Sequence, residues 1–462
     1  MQRILSIKNK DFESGFSTGL YNTKLGLFFD GPKINPFIRE GSLAWSSDPV
    51  ELGAGTVVGI PQSFCVNGAD MYSNDASGNI YKIAYFLTTA TVTKTKTGLT
   101  NTYGLEVLQT KNSLKYLYYF QKTQIGRMKL SDATYDDDWT AITAAYQSDV
   151  NPTLRITDEI YFGSKNVISK IADNGSNDTV LVENVLDLPT DYTITSLSTD
   201  GYYLIIVASK SVSSTIDYCD SRVYFWDYKN NYDSWTRDYL IPDPQIRGIK
   251  TIDGVSYAVG QYGLYYFSFS KEPERIREDV NCSYGFNNMS TIRNAISFAD
   301  EDVCVTYGKL KAGSKTALFK PYTLPANITA MDTSTSNTFG FFGTTGSKIY
   351  RQSLFGAQTT YGNQSFLTGR IDLDGYYAIK GIEIIFDGKL SSADSFTVAL
   401  QANTNNVSFG DVAYSTFDSL GGIYIPSTVG DVMADYININ ISNAYGTFTI
   451  KDIHLYGERI TR

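Results

Sequence analysis

Glu159-Ile160-Tyr161-Phe162-Gly163-Ser164-Lys165-Asn166-Val167-Ile168-Ser169-Lys170-Ile171 is the stretch on which the reading of the fold turns. A short apolar run, a turn of small and polar residues, and a second apolar run spell two antiparallel strands joined by a tight hairpin. The same phrase returns at Met71–Ile83, Val255–Phe267 and Thr338–Tyr350, and weaker copies centre on Met128, Tyr224 and Leu318. Taking Tyr81, Met128, Ile168, Tyr224, Tyr265, Leu318 and Ile349 as equivalent points gives steps of 47, 40, 56, 41, 53 and 31 residues, a mean of about 45. That is the length of one four-stranded blade. Seven copies predict a seven-bladed β-propeller, and six or eight blades fit nearly as well. Radial repetition leaves only short, protected edges, so such a ring needs no helices.

The composition agrees. The 462 residues include 35 Tyr, 25 Phe and 38 Gly, and only 19% are charged. Aromatic and β-branched residues favour strands, and glycine serves the turns between them. A hydrophobic fraction of 42% is ordinary for a globular chain and argues against disorder. The expected class is all-β.

Working outward from the repeats, residues 51–356 form the propeller. Residues 1–50 are read as an extended N-terminal arm that supplies a ring-closing strand, with its remainder, including Gly15–Leu20 and Lys33–Gly41, reaching a neighbouring subunit. Residues 357–462 change pattern. Gly381–Phe386, Ser395–Gln401 and Tyr436–Ile441 alternate or nearly so, and with Gly446–Ile450 and Ile453–Tyr456 they predict a C-terminal β-sandwich.

Few residues offer chemistry. The one histidine, His454, shares a strand face with Asp452, opposite Ile453 and Leu455. As half of an acid/base pair it lacks a nucleophile, so it is read as a solvent-facing strand residue. Ser73-Asn74-Asp75-Ala76-Ser77-Gly78-Asn79-Ile80-Tyr81 approaches a sialidase Asp-box, but the glycine is one place late and the Trp is missing. A plain hairpin turn is expected there. Asp136-Asp137-Asp138 and Asp372-Leu373-Asp374-Gly375 carry hard oxygens that suit Ca²⁺, yet neither has the spacing of a calcium loop, and both read as solvated turns. The aromatics of Tyr224–Trp235 suit sugar stacking, but their alternation reads as inter-blade packing. No catalytic, cofactor or metal residues are assigned.

Lys and Arg number 39 against 48 Asp and Glu, a net charge of −9, with no basic run. A general nucleic-acid binder needs a basic face, so DNA is expected only as passing cargo. No apolar stretch approaches the roughly 20 residues a membrane helix needs. Met1–Lys10 has no apolar signal core, which leaves folding in a cytoplasm or a leader already removed. Cys65, Cys219, Cys282 and Cys304 show no metal spacing and are read as buried free thiols.

Ser221–Asp227 through Ser234-Trp235, Ile246–Ile249, Val255–Gly260, and Asn151–Ile156 leading into Glu159–Gly163 resemble propeller domains of tailed-bacteriophage virion proteins. The order of arm, propeller and terminal sandwich is similar to nozzle, packaged-DNA-stabilisation and minor tail proteins. The resemblance implies a non-enzymatic tail or neck subunit of the virion, assembled in the host cytoplasm. Its implied partners are further copies in a homo-oligomeric ring, other virion proteins and, at the tail, the host surface. A glycan- or receptor-binding adhesin and a propeller glycosidase are the alternatives. The adhesin needs exposed aromatics clustered on one rim, and the glycosidase needs two carboxylates inside the central tunnel.

Overall fold

The structure is a computed structural model that describes residues 2–7, 28–30, 48–84, 90–100, 102–175, 178–210, 220–230, 233–278, 280–292, 294–309, 316–334, 339–353, 364–368, 370–386, 394–402, 405–413, 421–428, 430–445 and 449–460. Gly15–Leu20, Lys33–Gly41 and Cys219 lie outside the described residues. Among those described, the only helical element is a single 3₁₀ turn, Ala144–Tyr146.

Three strands precede the repeats: β1 (Gln2–Ile7), β2 (Phe28–Asp30) and β3 (Val50–Leu52). Blade one is β4 (Pro61–Asn67), β5 (Asp70–Asp75), β6 (Ile80–Ala84) and β7 (Thr91–Lys96). Blade two is β8 (Thr102–Gln109), β9 (Lys115–Gln121), β10 (Gln124–Lys129) and β11 (Thr134–Ala141). Blade three is β12 (Thr153–Ile156), β13 (Glu159–Ser164), β14 (Val167–Asp173) and β15 (Thr179–Asp187). Blade four is β16 (Tyr192–Thr199), β17 (Leu204–Lys210), β18 (Ser221–Trp226) and β19 (Arg237–Ile241). Blade five is β20 (Ile246–Ile252), β21 (Val255–Gly260), β22 (Leu264–Ser268) and β23 (Lys271–Arg277). Blade six is β24 (Met289–Ile292), β25 (Ala295–Asp300), β26 (Val303–Lys309) and β27 (Thr316–Thr323). Blade seven is β28 (Ile328–Thr333), β29 (Phe339–Thr344) and β30 (Lys348–Ser353), completed by β3.

The propeller therefore has seven blades. Val50, Glu51 and Leu52 pair with Arg351, Tyr350 and Ile349, so a strand from before blade one closes the ring as blade seven's outer strand. Six of the seven reference residues read from the repeats fall on third strands; Leu318 falls on a fourth. The equivalent third-strand residue is Cys304, which evens the spacing.

The blades stack through their faces. On β18, Tyr224 and Trp226 point into one cluster with Tyr161, Tyr192 and Leu204, while Val223 and Phe225 point into another with Ile249, Tyr265 and Phe267. Alternation thus assigns one face of blade four to blade three and the other to blade five. Outer strands carry charge or proline, as on β23 with Lys271, Glu272, Pro273 and Glu274. Such residues blunt an edge that would otherwise template further pairing.

The remaining strands are β31 (Gln364–Thr368), β32 (Ile371–Phe386), β33 (Ser395–Ala402), β34 (Asn405–Ala413), β35 (Gly422–Pro426), β36 (Val432–Tyr445) and β37 (Ile450–Arg459). Of the expected strand Gly446–Ile450, residues 446–448 lie outside the described residues and Ile450 opens β37. Together with β1 and β2 these strands form one nine-stranded hydrogen-bonded sheet, where two separate sheets were expected. The joint is β32, which pairs β36 through Ile371–Ile379 and β35 through Gly381–Ile385 along the same edge.

The chain divides into two compact units, one of Met1–Pro49, Val305–Thr323 and Gln352–Arg462, the other of Val50–Cys304 and Leu324–Arg351. The terminal unit is thus wider than residues 357–462, because its sheet recruits strands from the start of the chain. Gln2–Ile7 pairs with β37 of its own chain, and Phe28–Asp30 pairs with β31. These two segments of the arm pair within their own chain. Ile7 is buried in the same core as Ile382, Ile437, Ile453 and Phe319, and that bond to the core outweighs the extended look of the sequence.

Candidate functional site

The innermost strands of all seven blades line a central cavity of about 240 Å³. Its wall carries Glu106 on β8, Asp332 on β28 and Lys250 on β20, with Cys65 on β4 between the two acids around the ring. Each of these residues is flanked by apolar or small neighbours, so burial acts on the charge itself. Burial pushes Glu106 up to about 7, opposed by the Val107 N–H, which donates to Oε1 at 3.1 Å. Cys65 Sγ lies 3.6 Å from the same oxygen, and its thiol is held well above its ordinary value by burial and by Glu106. Burial also raises Asp332, against the pull of Lys250 and the Thr333 N–H.

Perturbed carboxyls in a cavity are a functional-site signature. Sequence reasoning missed both acids because each is a lone charge inside a strand, in Leu105-Glu106-Val107 and Met331-Asp332-Thr333. The available signal was their shared position on first strands, which the ring turns inward.

This site has a pH signature. The unfolded chain ionises Glu106 near 4.5, whereas the folded chain holds its proton to about 7. The folded state binds the extra proton between those values, so stability falls as pH rises through that window and the loss is complete above 7. Glu106→Gln is expected to leave stability nearly unchanged at pH 5 and raise it at pH 8 by up to about 3 kcal/mol. Urea unfolding at the two pH values checks this, and an equal offset at both would refute it.

The Asp-box-like segment is the hairpin it was read as. Asp75 is fully buried and accepts from Ser77 N and Asn79 N, both at 2.9 Å, and from the Tyr81 hydroxyl at 2.6 Å. Gly78 holds φ +74, and a Cβ there would overlap the Leu99 carbonyl. Blade five builds the same latch from a different source. Asp243, in the loop before β20, accepts from Gln261 N, Tyr262 N and the Tyr265 hydroxyl. In blade one the carboxylate sits at the end of the second strand and Gly59 of the entry loop leaves room for it; in blade five the loop brings the carboxylate and Gly260 of the second strand leaves the room. A residue-by-residue repeat search misses this exchange.

Both acidic runs are corrected from turns to strands. Asp136, Asp137 and Asp138 lie inside β11, where Arg127 pairs with Asp136 at 3.6 Å and Lys96 with Asp137 at 2.5 Å. Their charges guard an outer strand, and the neighbouring cations replace solvent. Asp372 lies within β32 and pairs with Arg370 at 2.7 Å. The aromatics of Tyr224–Trp226 are packing residues as read, with Tyr161 and Trp226 edge to face at 6.2 Å. Cys65, Cys282 and Cys304 are free and buried, and burial pushes the last two up to about 12.

His454 is corrected from exposed to buried, at 4% exposure. Its strand is internal, flanked by β1 and β32, so neighbouring side chains close over the ring. His454 Nδ1 donates to Glu383 Oε2 at 3.0 Å, and the Tyr456 hydroxyl donates to the same oxygen at 2.7 Å. Tyr456 and His454 together hold Glu383 below its ordinary value. Ser6 stands opposite His454 in register, so the structure supplies the nucleophile type that the sequence did not place there. The Ser6 hydroxyl is buried and makes no hydrogen bond, so no relay from Ser6 through His454 is assembled.

Among the described residues no helix is long and apolar enough to cross a membrane. No family model matches the chain, and no curated protein matches it. Solved structures similar to it include the β-propeller domain of Cps50 (Swd1) from Myceliophteria thermophila, at 8% identity and a TM-score of 0.47, covering 66% of this chain and 99% of that one. The computationally designed Ika8 protein is similar at 10% identity and a TM-score of 0.42, with the same two coverages.

Proposed function

We propose that the chain is a structural subunit of a tailed-bacteriophage virion, a nozzle- or hub-type protein of the tail or neck. It works as a homo-oligomeric ring beside other virion proteins, and DNA passes it without sequence-specific contact. The observation that carries this reading is the double use of the N-terminal segment. β1 and β2 complete the terminal sheet and β3 closes the propeller, so the first 52 residues tie both units. Strands held in this way on both sheets resist fraying, which suits a part that must hold under load. The net charge of −9 fits a wall that does not anchor phosphates.

We further infer that the terminal sheet folds over as a two-layer sandwich. In support, β33 buries every second residue, and its inward set shares one core with inward residues of β32, β35, β36 and β37. The test of the function is mass spectrometry of density-gradient-purified particles from the source of the chain, before and after capsid disruption. The chain is expected at constant stoichiometry in intact particles and in released tails. Its absence from particles, or its removal by a salt wash, would overturn the reading.

A further inference from the structure

We propose that β15, the outer strand of blade three, is a contact between two copies of this chain, paired antiparallel about a two-fold axis at Leu181. This goes beyond the virion reading. A two-fold contact closes on two copies, so it joins copies or rings in pairs and is not the contact that builds a ring. Among the described strands, β15 is the end of its sheet and pairs only with β14.

Its edge lacks the usual guards. β7 carries Lys94 and Lys96, β11 three aspartates, β19 Arg237 and Asp238, β23 Lys271 and Pro273, and β27 Lys320 and Pro321, while β3 has only three residues. β15 has no Lys, Arg or Pro, and its Val180 and Val182 are 44% and 38% exposed. Register fixes the face they share. Val182 lies opposite Lys170, and Lys170 opposite Tyr161, whose ring packs in the core between blades three and four. Leu240, 50% exposed, lies opposite Arg222, on the face of blade four that Tyr224 and Trp226 turn to the same core. An exposed apolar edge without cations or proline is a template for another strand.

The residues of the edge select a second copy as its occupant. Asp178-Thr179-Val180-Leu181-Val182-Glu183-Asn184 is a palindrome of polarity about Leu181. Self-pairing in that register sets Val180 opposite Val182 of the second copy, Thr179 opposite Glu183, and Asp178 opposite Asn184. No two like charges meet, and no charge faces a valine. Centring the pair on either neighbour instead sets Glu183 opposite Leu181 or Asp178 opposite Val182. The two acids are already held within their own copy: Arg127 binds Asp178, and Glu183 accepts from Thr143 N at 2.9 Å and from Thr143 Oγ1 at 2.6 Å. Arg127 and Thr143 come from blade two and its exit, against whose core Leu181 packs, so the valine face stays clear.

The test is sedimentation velocity of the full chain at about 100 μM, since a contact through one strand edge is small and weak. The unaltered chain is expected to form paired species. Val180→Lys/Val182→Lys sets lysine opposite lysine across the pair, and this variant, folded by circular dichroism, is expected to sediment at half the mass. Val180→Lys/Val182→Glu sets lysine opposite glutamate twice and is expected to restore the pair, which no other register would do. Should the first variant fail to fold, Val182→Glu alone is expected to weaken pairing by about tenfold or more. An unaltered chain with no paired species, an unchanged mass in the folded Val180→Lys/Val182→Lys variant, or no recovery in Val180→Lys/Val182→Glu overturns the proposal.

Discussion

Removing residues 1–7 is expected to unravel the terminal sheet from the β37 side while leaving the propeller blades protected. β1 contributes Ile7, at 1% exposure, to the terminal core, and Ile4 and Leu5 pack against it. It also covers one edge of β37, with Ser6 opposite His454 and Ile7 opposite Ile453. Fully burying one such aliphatic side chain is worth about 1.5–3 kcal/mol, so losing one buried and two half-buried chains costs on the order of 3–6 kcal/mol. The β1–β37 backbone pairing that runs from Gln2 opposite Gly457 to Ile7 opposite Ile453 is lost as well. Hydrogen exchange is the direct measurement. Protection across Ile450–Arg459 is expected to fall by a factor of one hundred or more, with β16–β18 unchanged. Full retention of protection in β37 would show that β1 is dispensable. The same logic predicts that a chain beginning at Tyr361 does not fold cooperatively by itself, because its sheet lacks β1 and β2.

Replacing Trp226 with alanine is expected to destabilise the propeller by about 3–5 kcal/mol. The indole has no exposed surface, stands opposite Leu204 in register, and meets Tyr161 edge to face at 6.2 Å. Nothing in a stack of blades can relax far enough to fill the space it leaves. Trp235 makes the contrast. It is half-buried, packs on Tyr224 at 5.0 Å and donates from Nε1 to Asp238 at 3.2 Å. Its replacement by alanine is expected to cost about 1–2 kcal/mol. Urea unfolding of the two variants decides the matter. Equal losses would mean that the two tryptophans serve the same purpose, and that burial does not rank them.

Period and composition were enough to establish the propeller. Strand alternation is a local property, and a blade repeats it because each blade must present one apolar face to either neighbour. Tyr224 and Trp226 against Val223 and Phe225 could therefore be sorted to two faces before any partner was known, and the structure puts them there. The Asp75 hairpin was legible for the same reason: its partners lie within six residues.

Where the reading failed, the deciding partner was remote in sequence. His454 looked exposed because its own strand pattern has one wet face; it is buried because β1, from the other end of the chain, pairs alongside. Asp136 and Asp137 looked like a turn because three adjacent acids carry no neutraliser among them; they sit in a strand, where Lys96 of blade one, 41 residues away, pairs with Asp137 and Arg127 of β10 pairs with Asp136. The cavity acids are the extreme case. Glu106 and Asp332 belong to blades two and seven, and only closure of the ring by Val50–Leu52 sets both on one wall. A sequence determines what each segment prefers to be, since propensity and alternation act over a few residues. Which side chains meet, and what burial does to their charges, depends on contacts between segments hundreds of residues apart, and those exist only once the chain has closed.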